Sequence, residues 1–388
     1  MKELARVTDD VIIEWARRFA AWPSEQSALM EADPAVRAFV TDCVRPLVES
    51  FGIACRIDAM GNLAAVIGPQ AAPVELALVA YAMTHPRSTM REPFAAELVE
   101  IDGERSVRGR GVSEQKAALA AALAAFIDAA VGERLSQRVA FILLTAGETG
   151  RHDAIAAALS ALAEKPRRAI LAVGTDMKIS LGNRGRLDID VTIEGRAAHS
   201  STPWEGRDVT AGIAAILNEA QRLSAEGRSA AELGPATLTC TSIRTWPEAT
   251  HTIQSRAHMV FDRRLLPSEN VDRLFKDVAA AFTAATPLAV RVSKGPYMFG
   301  AQVSRESDFV RRLEQAAAAA GAPRPDTYFS YSALDAGYLA EKGVEAVTWG
   351  PGSPKQFHTD EESVRVADLL MMARTYRSVL TGFAVRIT

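Results

Sequence analysis

Val74-Glu75-Leu76-Ala77-Leu78-Val79-Ala80-Tyr81 is almost continuously apolar, the mark of a strand buried on both faces of a parallel sheet. Further on, Leu187-Asp188-Ile189-Asp190-Val191-Thr192-Ile193-Glu194 alternates apolar with polar, which describes a strand with one wet face. These two patterns divide the chain. Around the first, short apolar runs at Val139–Leu144 and Ala169–Val173 alternate with helical segments, among them Ala117–Ala130 with Leu119, Leu123, Phe126 and Ile127 at helical spacing. Strands alternating with helices predict an α/β domain with a mixed, largely parallel sheet. Around the second, the order is strand, helix (Asp208–Ala225), two strands (near Ala236–Ile243 and Arg256–Arg263), helix (Ser268–Ala284), strand (Leu288–Val292). That is the βαββαβ order of a ferredoxin-like module.

The α/β pattern then resumes, with an alanine-rich helix near Phe309–Ala320 and a strand near Glu345–Trp349. Residues 1–65 read as two amphipathic helices and a strand containing a Gly61-Asn62 turn. At 388 residues the chain exceeds the roughly 250–300 residues at which one hydrophobic core stops growing. The expected organisation is therefore a discontinuous α/β domain, 1–183 and 293–388, with a ferredoxin-like module inserted at 184–292.

Composition narrows the function classes. Basic and acidic residues number 44 and 47, a net charge of −3, so no basic surplus points to nucleic acid or an anionic membrane. A 48% hydrophobic content argues against a mainly disordered chain. Cys43, Cys55 and Cys240 are odd in number and form no CxxC, which disfavours a disulfide framework or a cysteine zinc cage and fits a reducing, cytoplasmic setting. No apolar signal region opens the chain. Its most apolar long stretch, Ala117–Val131, carries Asp128 and reads as too short to span a bilayer.

Three segments look built for chemistry. Gly109-Arg110-Gly111-Val112-Ser113-Glu114-Gln115-Lys116 is a glycine-rich turn opening a helix; Thr145-Ala146-Gly147-Glu148-Thr149-Gly150 follows a buried strand; and Phe357-His358-Thr359-Asp360-Glu361-Glu362 follows Gly350-Pro351-Gly352 and another strand. Strand ends are where α/β sites gather, and Glu114, Glu148 and His358 together could form an N/O metal site. The competing reading makes the carboxylates complements of helix dipoles.

With these residues in view the chain resembles the M20 metallohydrolases, the family of acetylornithine deacetylase, succinyl-diaminopimelate desuccinylase and carboxypeptidase-G-like enzymes. The matching residues are Gly61-Asn62-Leu63, the GRGxSxxK block at Gly109–Lys116, and Gly195-Arg196-Ala197-Ala198-His199-Ser200-Ser201 with Pro203 and Gly206. The match continues through Asp262-Arg263-Arg264-Leu265-Leu266-Pro267, Asp335, Gly350-Pro351-Gly352 and His358-Thr359. The resemblance implies a zinc-binding α/β domain with an inserted lid that also dimerises, hence a homodimer. It also implies two zinc ions sharing an Asp, with a catalytic Glu taking a proton from the bridging water.

The departures from that pattern fall on the chemistry. Where the family has His-x-Asp at the end of a strand, this chain has Tyr81-Ala82-Met83. The bridging Asp corresponds to Glu114, the Glu-Glu pair to Gly147-Glu148, and the ligand of the Glu-Pro-Thr segment to Val173, with Asp176 nearby. By this correspondence Glu114, Glu148 and His358 are one zinc's protein ligands. Tyr81 and Val173 are the other zinc's vacated positions, Met83 replaces the carboxylate orienting its histidine, and Gly147 replaces the base. His85 lies on the same side of an extended strand as Tyr81 and could approach the vacated position as a replacement ligand; the competing reading is a surface histidine or one that supports the ligands. His152 and Asp153 read as helix-capping or solvated groups.

On the substrate side, His199 matches the lid histidine that reaches the partner's site and stabilises the oxyanion. Arg264 matches an element often associated with binding a substrate carboxylate, with a structural salt bridge as the competing reading; His251 replaces a usual Asn, and the Gly350/Gly352 loop is kept. Three readings follow. The first is an amidohydrolase of N-acylated amino acids or small peptide-like amides that holds at most one zinc or other divalent ion. The second is a silent family member that binds such a carboxylate-bearing ligand or supports an active partner. The third is a metal-free enzyme using Tyr81 or His85.

Overall fold

The computed structural model describes residues 6–86, 89–132, 135–147, 149–267 and 269–384. The chain separates into two compact units, Met1–Gly182 with Gln302–Phe329 and Tyr338–Thr388, and Asn183–Ala301 with Ser330–Gly337.

The first unit is built on a mixed sheet whose centre is parallel. Strand Val74–Tyr81 lies between Arg138–Leu144 and Arg168–Leu171, parallel to both, and Glu345–Thr348 extends the parallel set beside Arg168–Leu171. Every residue of Val74–Tyr81 is buried, as its continuous apolar run requires. Strand Leu63–Ile67 closes one side antiparallel to Arg138–Leu144.

The Gly61-Asn62 turn does not lie inside a strand, as the sequence suggested. It joins two antiparallel strands, Cys55–Ile57 and Leu63–Ile67. Gly61 has φ +88°, a left-handed conformation that L side chains resist, and Asp58 closes the turn by accepting from Asn62 Nδ2 at 2.7 Å.

Helices Asp9–Ala21, Ala117–Gly132 and Val366–Ala384 pack on this sheet around one core. Val112–Gly132 is a 21-residue stretch long and apolar enough to cross a bilayer by length and composition, longer than Ala117–Val131 alone suggested. The turn Val112–Lys116 runs directly into the helix and supplies the extra length. Most of the apolar window is buried inside the fold, so its hydrophobicity serves the core.

The second unit is a four-stranded antiparallel sheet in the order Leu238–Trp246, Arg256–Leu265, Gly185–Glu194, Ala289–Met298. Helices Val209–Ala225 and Val271–Ala284 share its core. The alternation in Gly185–Glu194 appears as alternating buried and half-buried residues along the strand. A strand with one wet face can lie at a sheet edge, free to continue the sheet across a two-fold axis. This one is central instead, paired on both sides. In a split βαβ order, the first strand is flanked by the third and fourth, which leaves Leu238–Trp246 and Ala289–Met298 as the edges. The second helix starts at Val271 under an Asn270 cap that accepts from Arg273 N; Ser268, its expected first residue, lies outside the described residues. Segment Ser330–Gly337 joins this unit because Gly337 packs on the Phe299 backbone so closely that a Cβ would stand 1.8 Å from its carbonyl oxygen.

Candidate active site

Glu114 sits in the turn Val112–Lys116, whose first amide contacts reach back to Gly111 O from Gln115 N (2.9 Å) and Lys116 N (2.8 Å). Widened turns of this kind recur at functional sites. Glu114 is 2% exposed, and its Oε2 lies 3.4 Å from Nε2 of His358. The structure therefore brings together two of the three residues expected to hold one metal. The third, Glu148, lies outside the described residues.

His358 stands at φ +62°, an uncommon conformation for a residue with a side chain. Its loop is fixed from below by Arg110, which donates to Thr359 O at 3.1 Å and pairs with Glu362. The ring of His85 stacks on that of His358, centroids 3.7 Å apart and planes 17° from parallel. His85 thus meets the retained set through its ring face.

The vacated positions are filled. Tyr81 is 4% exposed and its ring lies against Gly147. Met83 is wholly buried, with Sδ accepting from Gln115 Nε2 at 3.1 Å. Val173 is buried, and its carbonyl oxygen would be 2.3 Å from a Cβ on Gly350. Asp176 is exposed. Two zinc ions would need an imidazole and a carboxylate where Tyr81 and Val173 stand. Among the described residues no three His, Cys, Asp or Glu side chains form a group able to hold an ion. At positions 81 and 173 the described residues offer neither an imidazole nor a carboxylate to a second ion.

Gly350 and Gly352 are buried, and backbone packing accounts for both. A Cβ on Gly352 would lie 1.7 Å from Ser113 O, so only glycine lets the loop approach the Glu114 turn. Asp176 N donates to Gly352 O at 2.8 Å and Thr175 N to Gly350 O at 3.2 Å, which ties the loop to the segment after Val173.

The sequence reading assigned no role to Lys116. Its Nζ, wholly buried, donates to Ser24 Oγ at 2.7 Å and Ala82 O at 2.5 Å and lies 3.5 Å from the Phe39 ring centroid. Burial drives its pKa well below the ordinary lysine value. Lys116 and Ser24 thereby pin the strand end that carries Met83 and His85. Presence in the GRGxSxxK block was the only signal. His152 does precede helix Asp153–Ala161, but as a buried ring 5.4 Å from Tyr338 and with no side-chain cap.

In the second unit, His199 is exposed and its Nδ1 accepts from Ser201 N at 3.2 Å. In the neutral ring the proton then sits on Nε2, which can donate outward. His251 is exposed beside it, its carbonyl accepting from Ser200 N at 2.9 Å. Arg264 is already engaged, Nε and Nη2 donating to the two oxygens of Asp262 at 2.8 and 3.1 Å. His199 and Arg264 lie towards opposite ends of the central strand. Arg264 pairs with Arg186 and Arg256 with Glu194, and eight steps of about 3.3 Å span roughly 26 Å. His199 lies beyond Glu194, where Ile253 N still donates to Ala198 O at 2.8 Å.

Comparison with known proteins identifies the family and the fold. A protein named probable carboxypeptidase from Aspergillus flavus is 24% identical over 310 residues, 71% of this chain and 64% of its own length. The chain thus spans under two thirds of that relative. Succinyl-diaminopimelate desuccinylase of Xanthomonas oryzae pv. oryzae is 25% identical over 288 residues, 71% of this chain and 75% of that protein. Among solved structures, an M20 family metallo-carboxypeptidase from Sulfolobus solfataricus superposes with TM-score 0.79 at 16% identity, covering 97% of this chain and 99% of the other. Residues 84–382 match the model of peptidase family M20/M25/M40. The chain belongs to that family.

Proposed function

We propose that this M20 chain binds an N-acylated amino acid or small peptide-like amide bearing a carboxylate, and that any hydrolysis it performs does not use a dinuclear zinc centre. The observation carrying the reading is an asymmetry. Glu114 and His358, from one zinc's ligand set, face each other at 3.4 Å, whereas the other set's positions hold a buried phenol ring, a thioether and an isopropyl group. Glu114 and His358 could serve as ligands of one divalent ion, and positions 81 and 173 offer no imidazole or carboxylate to a second. Names of the relatives, a carboxypeptidase and a desuccinylase, support the substrate class.

We propose further that the protein works as a homodimer through its second unit. The separation of His199 from Arg264 along one sheet supports this, because one copy cannot bring both to a small ligand. The free cysteines Cys43, Cys55 and Cys240 fit a cytoplasmic setting. A metal-free reading through His85 has one observation in its favour, the stacking on His358.

The test is elemental analysis of protein purified without chelators, combined with calorimetric binding and a hydrolysis panel of N-acyl amino acids. The expected result is at most one ion per chain, ligand binding, and no turnover of ordinary M20 substrates. Two ions about 3.5–4 Å apart, or strong wild-type turnover, would overturn the proposal.

A further inference from the structure

Gly147 follows strand Arg138–Leu144, whose Leu144 pairs with Tyr81 across the parallel sheet. A Cβ at position 147 would stand 2.7 Å from Cε1 and 2.8 Å from Cδ1 of Tyr81. Carbon atoms in good contact lie about 3.5–4.0 Å apart, so even alanine overlaps the ring. The ring cannot yield cheaply, because Tyr81 is 4% exposed and close-packed side chains do not rotate without displacing neighbours. Backbone conformation offers no other reason for glycine, since Gly147 is not among the positive-φ glycines.

We infer that Tyr81 and Gly147 are one interlocked pair, in which the phenol ring bars any side chain from position 147. The functional meaning rests on the reading proposed above: position 81 corresponds to a metal-binding imidazole, and position 147 to the general base. In steric terms the two losses are a single exchange. The larger ring took the space next to the strand end, and a carboxylate cannot return while the ring stays. The base position is therefore blocked rather than merely empty. Whatever group activates water in this protein, it is not a carboxylate on residue 147. Tyr81 determines which chemistry the site can host, through the volume of its ring and independently of its hydroxyl.

A sign reversal in stability tests the pairing. At a site whose backbone suits alanine, Gly→Ala usually stabilises, because it restricts the unfolded chain. In the wild-type and Tyr81→Phe backgrounds, Gly147→Ala should instead lower Tm by several degrees, since both rings keep the offending carbons. In the Tyr81→Ala background the same substitution should leave Tm unchanged or raise it. Should Tyr81→Ala fail to fold, Tyr81→His supplies a smaller ring and should shrink the Gly147→Ala penalty. Equal Tm shifts in all backgrounds would mean that the sites are independent, and the inference would fall. Two bound ions, or strong wild-type turnover of ordinary M20 substrates, would overturn the proposed function while leaving this pairing intact; additive Tm shifts would do the reverse.

Discussion

Arg110 Nη1 lies 2.8 Å from Glu362 Oε1, and neither side chain has any solvent exposure. They are 252 residues apart in the chain, so this ion pair clamps the GRG turn to the loop of His358. Removing one partner from a buried pair leaves an uncompensated charge, at a cost of about 3–5 kcal/mol. Arg110→Ala should lose stability on that scale in urea denaturation, and ligand affinity should fall with it, because Thr359 loses its tether beside His358. An Arg110→Ala chain within about 1 kcal/mol of wild type would show that the clamp is unimportant.

Glu362 also gives the clamp a pH dependence. Burial raises its carboxyl above the ordinary 4.5, and Arg110 offsets part of that shift. An acid whose folded pKa exceeds its unfolded pKa contributes stability that is complete below the unfolded value and is lost as pH rises through the folded one. The stability of wild type relative to Glu362→Gln should thus be greatest in acid and decline as pH climbs above 4.5. Parallel stability curves for the two proteins would count against a raised Glu362.

Lys116 should show the opposite slope. Its folded pKa lies well below the ordinary 10.5 because the ammonium is buried. A depressed base contributes stability above its unfolded pKa and loses it as pH falls through the folded one. Wild type should therefore weaken relative to Lys116→Met as pH drops from 10.5, read as the difference in urea midpoints. A constant difference would mean that the amine keeps its charge at no cost.

Gly147→Glu alone should not create an amidohydrolase. The ring of Tyr81 obstructs the new side chain, and Glu114 holds its carboxylate one methylene farther out than the family's Asp. Misplacement by about 1 Å can cost about 100-fold in rate. Combining Tyr81→His, Met83→Asp, Glu114→Asp, Gly147→Glu and Val173→Glu should be required before N-acyl amino acids are hydrolysed. Strong activity from the single substitution would contradict this account.

Mixed dimers test whether His199 acts across subunits. His199→Ala and Arg264→Ala should each weaken ligand binding as homodimers. On the proposed homodimer, in which a site draws His199 and Arg264 from different copies, a dimer with one chain of each type should regain one intact site. No recovery on mixing, or a monomer in sedimentation at micromolar concentration, would exclude a shared site.

The sequence alone determined the α/β class, the βαββαβ order and the turn that carries Glu114. Each is written in local periodicity or a short motif: the unbroken apolar run at Val74–Tyr81, the alternation at Leu187–Ile193, the glycines at 109 and 111. It also named Glu114 and His358 as candidate partners, through their place in the family's pattern. Tertiary structure alone decided what depends on residues distant in the chain. Alternation predicts a strand with one wet face but not how many neighbours it has, so only the folded sheet shows that Gly185–Glu194 is central. A tyrosine at 81 and a glycine at 147 read as two separate losses until the parallel pairing of their strands sets ring against backbone. The Arg110–Glu362 clamp likewise comes from folding, because each charge is tolerable in the interior only where the other compensates it.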